Sequence, residues 1–308
     1  MGNTFYFSFE PKLMIWLQSV LGKNGSKAVG FFSEFGEAEF IIFILLILYW
    51  CVDKEFGIYV GTNVLMGLVY GPLIKNIVLR RRPYFDNEMI KCFRPVEADA
   101  DIYSIAAQGF SFPSMHSTVA VTFFGSLARY AGKRILTVIA FVIPFLVGLS
   151  RVVVGVHYPT DVFVGWGMGI VIVFLMPYIY EKAGKDRRWV VNLVVFLIAC
   201  VGIFYCRTED YFTTLGLMAG FFIAEEFEKR YVNFKITRNP IRAALRLIGG
   251  LIIFFSLNTI LKMPFSKEFL ESSQIAAFLL RALRYAVVIF VVTGIYPMIF
   301  GRFFKPQK

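Results

Sequence analysis

The chain has 308 residues, 57% of them hydrophobic and 18% aromatic, with a mean hydropathy of +0.66 and a formal net charge of +11. A soluble domain is only about 45–50% apolar, so the composition excludes an ordinary globular enzyme and indicates a polytopic membrane protein. The basic residues sit in short stretches between apolar runs, where lipid head groups and membrane topology account for them and nucleic-acid binding does not. Cys51, Cys92, Cys200 and Cys206 lack metal-type spacing, so neither a disulfide framework nor a metal site is expected.

In chain order, Met1–Glu10 lacks the basic start and small-residue cleavage site of a signal peptide, so insertion is expected to depend on the spans themselves. Pro11–Leu21 reads as a short helix closed by Gly22. It is too short to span. It is expected to lie in the membrane interface with Trp16 as anchor, or else to pack on the bundle. Apolar runs follow at 38–52, 56–79, 115–131, 135–150, 161–180, 189–206, 211–224, 245–261 and 284–300. Each is near the ~17–25 residues that cross a bilayer, and the first and seventh are short. The expected fold is all-α, a polytopic transmembrane helix bundle of nine spans. Alternate loops divide the charge. One side holds Lys54, Lys133, Arg134, Lys182, Lys185, Arg187, Arg188, the bases of 229–242 and the Arg302–Lys308 tail, which lies outside the residues the structure describes, and is expected to be cytoplasmic. The other holds Arg80, Arg81, Arg82, Lys91, Arg94 and Arg151, an exception that an anion site facing outward explains.

Three stretches on that second side carry chemistry. In 148–161, Arg151, His157 and Asp161 lie between two apolar runs, where charge is costly. Pro159 fits a first helical turn, and Asp161, four residues after His157, can hold one ring nitrogen and leave the other as nucleophile or base. A polar loop with Thr160 as cap is the plain alternative. In 75–83, Lys75 and Arg82 are two turns apart on one face; snorkelling and a stop signal are the alternatives. In 112–118, Ser114 is placed as an N-cap, with free helix amides and His116 at the same mouth. Alone this is no more than a cap. Together the stretches supply three cations, helix dipoles, one carboxylate and the chain's only two histidines, which suits phosphoryl transfer without metal.

These stretches resemble the three-block signature of the type 2 phosphatidic acid phosphatase family. Lys75–Pro83 looks like K-x6-R-P, Pro113–His116 like P-S-G-H with Met115 in place of Gly, and Ser150–Asp161 like S-R-x5-H-x3-D. The resemblance implies catalytic roles for His157 as phosphohistidine, Asp161 as its orienter and His116 as acid, then base. It implies phosphate binding by Lys75, Arg82, Ser114 and Arg151, with no metal and no cofactor. Arg80 lies outside the pattern and is expected to contribute far less than Arg82. Met115 departs from the pattern, but a first-turn residue needs no positive φ, so activity is expected to survive.

The likeness covers a six-helix core at 37–206, after an N-terminal interfacial region at 1–36 and before a three-span extension at 207–308 with no recognisable motif. Ser33–Gly36 and Tyr49–Asp53 loosely resemble the sphingosine-phosphate and dolichyl-diphosphate phosphatase branch. Within 84–112, Tyr84, Phe85 and Phe110 are expected to wall a head-group pocket, with Lys91 or Arg94 as extra anion contacts. Arg281 and Arg284 are expected to snorkel. The expected activity is hydrolysis of a lipid phosphomonoester or diphosphate in the plasma membrane of a bacterium. Lipid phosphotransfer through the same phosphohistidine, and non-enzymatic transport of a lipid phosphate, are the alternatives.

Overall fold

The computed structural model describes residues 2–300, and the chain is helical, with one parallel backbone bridge between Asn3 and Arg80. The helices are α1 (Phe9–Gly30), α2 (Ala38–Ile47), α3 (Lys54–Val78), α4 (Pro83–Asp86), α5 (Ile105–Gln108), α6 (Met115–Ala131) and α7 (Arg134–Val153). They continue as α8 (Pro159–Ala183), α9 (Arg188–Cys200), α10 (Glu209–Phe227), α11 (Pro240–Ile260), α12 (Lys267–Leu270) and α13 (Ile275–Phe290). Seven helical stretches among the described residues are long and apolar enough to cross a membrane. The two expected runs that drop out are 115–131, whose helix α6 has 17 residues, and 211–224. Helix α10, which covers the latter, carries Glu209, Asp210, Glu225 and Glu226 at its ends.

Helix α1 also differs from expectation. Its backbone leaves the helical region at Gly22 (φ 63°), as a helix-closing glycine allows, but helix resumes and runs on to Gly30. One face packs inward: Met14 and Glu10 are buried, and the Gln18 amide donates to the carbonyls of Lys91 and Val153. Trp16 stays exposed.

The chain forms two compact units. One joins Met66–Met176 to the residues up to Ile41; the other joins Ile42–Leu65 to the residues from Pro177 onward. In the first, α6 and α8 approach closely because α8 presents glycines one turn apart. A Cβ on Gly165 would lie 2.6 Å from the Ser114 carbonyl oxygen, and one on Gly169 would lie 2.6 Å from Val121 Cβ. Such stripes let helices meet backbone to backbone where lipid offers no hydrophobic drive. In the second unit, Gly216 and Gly220 of α10 meet the carbonyls of Ala282 and Ala286 on α13 in the same way. Its apolar core gathers around fully buried Trp50, with Tyr49, Phe234, Val288, Val292 and Phe300. Arg284 is buried and donates to Asn258, so it does not snorkel, and Arg281 pairs with Glu209.

Gly165→Leu should lower stability in detergent by about 1–3 kcal/mol through overpacking, read as a lower melting temperature. Gly167→Leu should leave melting unchanged, since a Cβ there meets nothing within 4 Å.

Candidate active site

Each of the expected site residues comes from a place where a helix starts or stops within the first unit. Lys75 lies in the last turn of α3, which ends at Val78. Leu79 then takes a left-handed φ of 54°, which turns the chain so that Arg80 and Arg82 both enter the interior, 1% and 3% exposed. Arg82 is anchored by donating from Nε to the Gln108 carbonyl (2.7 Å) and from Nη1 to the Val156 carbonyl (2.9 Å).

Ser114 occupies the N-cap position of α6, as expected, yet its side chain caps no amide. Its hydroxyl accepts from Ser117 Oγ at 2.9 Å. The opening amides of α6 are therefore without a side-chain cap, an arrangement that suits an anion. Met115, which stands where the family pattern has Gly, points its side chain at Gly71 of α3. A Cβ on Gly71 would lie 1.9 Å from Met115 Sδ, so the notch left by one glycine takes the bulk of the other position.

The third block closes α7. Arg151 is buried in the last turn, and its Nε and Nη1 have no hydrogen-bond partner among the described residues. Gly155 (φ 86°) then reverses the chain; a Cβ there would meet the Lys91 carbonyl oxygen at 2.3 Å, so both conformation and space require glycine. The turn returns the backbone N–H of His157 to the Arg151 carbonyl (3.3 Å). Pro159 opens α8 and Asp161 sits in its first turn, as the spacing requires.

The contact between His157 Nδ1 and Asp161 Oδ2 is 3.4 Å, longer than a good hydrogen bond of about 2.7–3.2 Å. Stronger partners hold the carboxylate: Arg80 Nη1 donates to Oδ1 at 2.6 Å and the Tyr158 N–H donates to Oδ2 at 2.8 Å. Arg80, which lies outside the family pattern, thus grips the carboxylate of a residue inside it. Burial, then the positive charges of Arg82, Lys75 and Arg151, push the His157 imidazole well below the ordinary histidine range, so the ring is neutral and keeps a lone pair.

His116 has its own carboxylate, Glu37, with Nε2 3.1 Å from Oε1. Arg94 joins that pair, 3.0 Å from Glu37 and 2.8 Å from Glu34. Neither Glu37 nor Glu10 stood out in the sequence. The available signal was position: Glu37 directly precedes an apolar run, and Glu10 precedes Pro11 at a helix start. The wall assignments fare differently. Tyr84 is a core residue packed with Met14, Val154, Val156 and Val162, and the Lys91 ammonium turns to the Glu88 carbonyl. Thr160 is no cap; its hydroxyl donates to Glu10 and accepts from Arg80.

With this geometry in view, two family models match the chain: "PAP2 superfamily" over residues 55–185 and "PAP2 superfamily phosphatase, transmembrane extension" over 212–308. The chain belongs to the PAP2 superfamily. It is 38% identical over 88 residues to a phosphatidylglycerophosphatase B of Bacillus subtilis, covering 26% of this chain and 43% of that protein. It is 32% identical over 129 residues to a lipid A 1-phosphatase of Rhizobium etli, covering 42% of this chain and 52% of that protein. An undecaprenyl-diphosphatase of Sulfolobus acidocaldarius is 28% identical over 183 residues, 59% of this chain and 82% of its own length. The chain thus spans about half the length of the first two. These names differ from the sphingosine-phosphate and dolichyl-diphosphate branch, and that finer resemblance is withdrawn. No solved structure gives a significant match.

The pairing of Met115 with Gly71 is open to a direct test. Gly71→Ala should destabilise by about 1–3 kcal/mol through overpacking against the thioether, and Met115→Gly added to it should restore the melting temperature. Equal melting of Gly71→Ala and wild type would refute the pairing.

Proposed function

We propose that this PAP2 superfamily member is a membrane phosphatase that hydrolyses a lipid phosphomonoester or lipid diphosphate through a phosphohistidine at His157. The observation that carries the reading is Arg151, a buried guanidinium with two donor nitrogens unmatched, adjoining a neutral imidazole that also feels Lys75 and Arg82. Burying like charges together is costly, and a phosphate dianion relieves that cost by taking their hydrogen bonds. The relatives' names support the same class, since they are a phosphatidylglycerophosphatase, a lipid A 1-phosphatase and an undecaprenyl-diphosphatase.

The steps follow from the placement. With a proton on Nδ1, facing Asp161, the Nε2 lone pair of His157 attacks phosphorus while the bond to the leaving oxygen breaks and His116 gives that oxygen a proton. A water then attacks phosphorus, His116 takes its proton, the P–N bond breaks and inorganic phosphate leaves. Lys75, Arg82 and Arg151, with Ser114 and the α6 amides, hold the three equatorial oxygens throughout. Each such contact is worth about 2–4 kcal/mol in the transition state. Glu37 keeps the His116 ring facing the site in both steps. The Lys and Arg distribution puts this face outward, and we divide the chain functionally into 1–36, a phosphatase core at 37–206 and an extension at 207–308.

Purified protein in detergent with EDTA should release phosphate from at least one of phosphatidate, phosphatidylglycerophosphate, undecaprenyl diphosphate and a sphingoid phosphate; no release from any would sink the proposal. With p-nitrophenyl phosphate, whose leaving group needs no proton, His116→Ala should give a nitrophenolate burst near one equivalent and then slow turnover, while His157→Ala gives neither. A burst in His157→Ala reverses the assignment.

The orientation is tested separately. A cysteine introduced in 84–112, in a background lacking the four native cysteines, should react with an impermeant maleimide on intact cells. Labelling only after lysis would place the site on the other side.

A further inference from the structure

Residues 3–10 lie outside the stretch matched by the family models, which begins at residue 55, yet they are bonded into the site. Asn3 holds the left-handed turn after α3. Its N–H donates to the Leu79 carbonyl (2.7 Å), its carbonyl accepts from the Arg81 N–H (2.9 Å), and its Nδ2 donates to the Val78 carbonyl (2.7 Å). A leucine at φ 54° is strained relative to the right-handed region, so such a turn persists only where neighbours fix it. Next in the chain, Phe5 accepts from Arg80 Nε at 2.9 Å and covers one side of the guanidinium, 4.7 Å from ring centroid to Cζ. Tyr158 covers it as well, at 4.0 Å, and Tyr6 stacks on Tyr158. Glu10 completes the enclosure. Its Oε2 accepts from Arg80 Nη2 (3.0 Å) and the Phe7 N–H (2.8 Å), and its Oε1 accepts from the Thr160 N–H (2.9 Å) and hydroxyl (2.7 Å).

We infer that residues 3–10 form a strap that positions the catalytic pair through Arg80, an assignment that rests on His157 being the nucleophile proposed above. Arg80 touches no reacting atom. Its Nη1 grips Asp161 Oδ1, which aims Oδ2 at the Tyr158 amide and the His157 ring. Each nitrogen of the guanidinium has a protein partner, four bonds in all, in contrast to Arg151, whose Nε and Nη1 have none among the described residues. Arg80 is a positioning residue, and the strap is what holds it in position.

The chain's two histidines make this measurable without turnover. In a His116→Gln background, full-length protein labelled with 15N-histidine in detergent micelles reports the protonation of His157 alone. The charged groups facing that ring are Arg82, Lys75, Arg151 and Asp161, with His116 the fifth in the wild-type chain. Removing Arg80 leaves the Asp161 carboxylate buried without its cation, so the pair takes up a proton at higher pH. Arg80→Met should therefore raise the titration midpoint by at least one pH unit. Arg80→Lys, which keeps the charge and replaces Met should that variant not fold, should give a smaller rise in the same direction. An unchanged midpoint in a folded Arg80 variant overturns the inference. On p-nitrophenyl phosphate, Glu10→Gln should lower kcat by more than tenfold with KM within threefold; wild-type kcat would remove the strap from the assignment. If the wild-type chain hydrolyses no phosphate ester, it is the hydrolase reading that fails, and the titration still decides whether Arg80 sets the state of the pair.

Discussion

A single buried guanidinium, that of Arg80, lies between two buried carboxylates, and the geometry at the mouth of α8 depends on it. Glu10 and Asp161 are fully buried and Arg80 is 1% exposed, so three formal charges have left water together. Desolvation on that scale is tolerable only when the remaining lone pairs and protons are satisfied. Here they are: the Glu10 oxygens take four donors, and the Asp161 oxygens take Arg80 and the Tyr158 amide. Remove the cation and two buried carboxylates face each other. A network of this kind stabilises little relative to an apolar core, but it allows few alternative arrangements. It fixes the direction of the carboxylate oxygen that faces the His157 ring.

Around His157 the balance runs the other way. Arg82, Lys75 and Arg151 all bear on the ring; Arg82 is anchored by backbone carbonyls, while Arg151 keeps Nε and Nη1 without a partner among the described residues. Burial, then the field of these cations, disfavours the charged imidazole and leaves the site short of negative charge. The two neighbourhoods differ: on the Arg80 side every guanidinium nitrogen has a partner, and on the Arg151 side Nε and Nη1 have none among the described residues. Helix ends make both possible, since the charges enter from the last turns of α3 and α7 and the first turns of α6 and α8. The helix interiors between them remain free to face lipid or each other.

The second unit carries ionic contacts of a different character. Lys54 pairs with Glu228, and Arg188 lies 2.7 Å from Glu225, which also accepts from Asn192. These cations have carboxylates close by, and the Gly216 and Gly220 stripe on α10 brings its backbone against α13. The pattern is that of packing and anchoring. The same residue type serves two ends, because an arginine with a carboxylate partner fixes structure while an arginine left with open donors attracts an anion.

The sequence by itself determined the membrane class, since an 18% aromatic, 57% hydrophobic chain has no soluble core to fill. It also determined the three motif blocks and the seven residues they name, because helix starts and stops are written locally in Pro83, Ser114 and Pro159 and local spacing decides which side chains share a helix end. Of its nine apolar runs, two fall short of the length and apolarity that a span needs, α6 with 17 residues and α10 with charges at both ends, and it ended α1 at Gly22, where the chain only bends. Arg80, Glu10 and Glu37 were illegible for a common reason. Their partners are 81, 70 and 79 positions away in the chain, at Asp161, Arg80 and His116, and no local pattern encodes a contact across such distances. Only the tertiary structure decided which arginine holds Asp161 and which keeps its donors open. Three consecutive arginines look alike in sequence, and the left-handed turn at Leu79, held by Asn3, sets where each of them points.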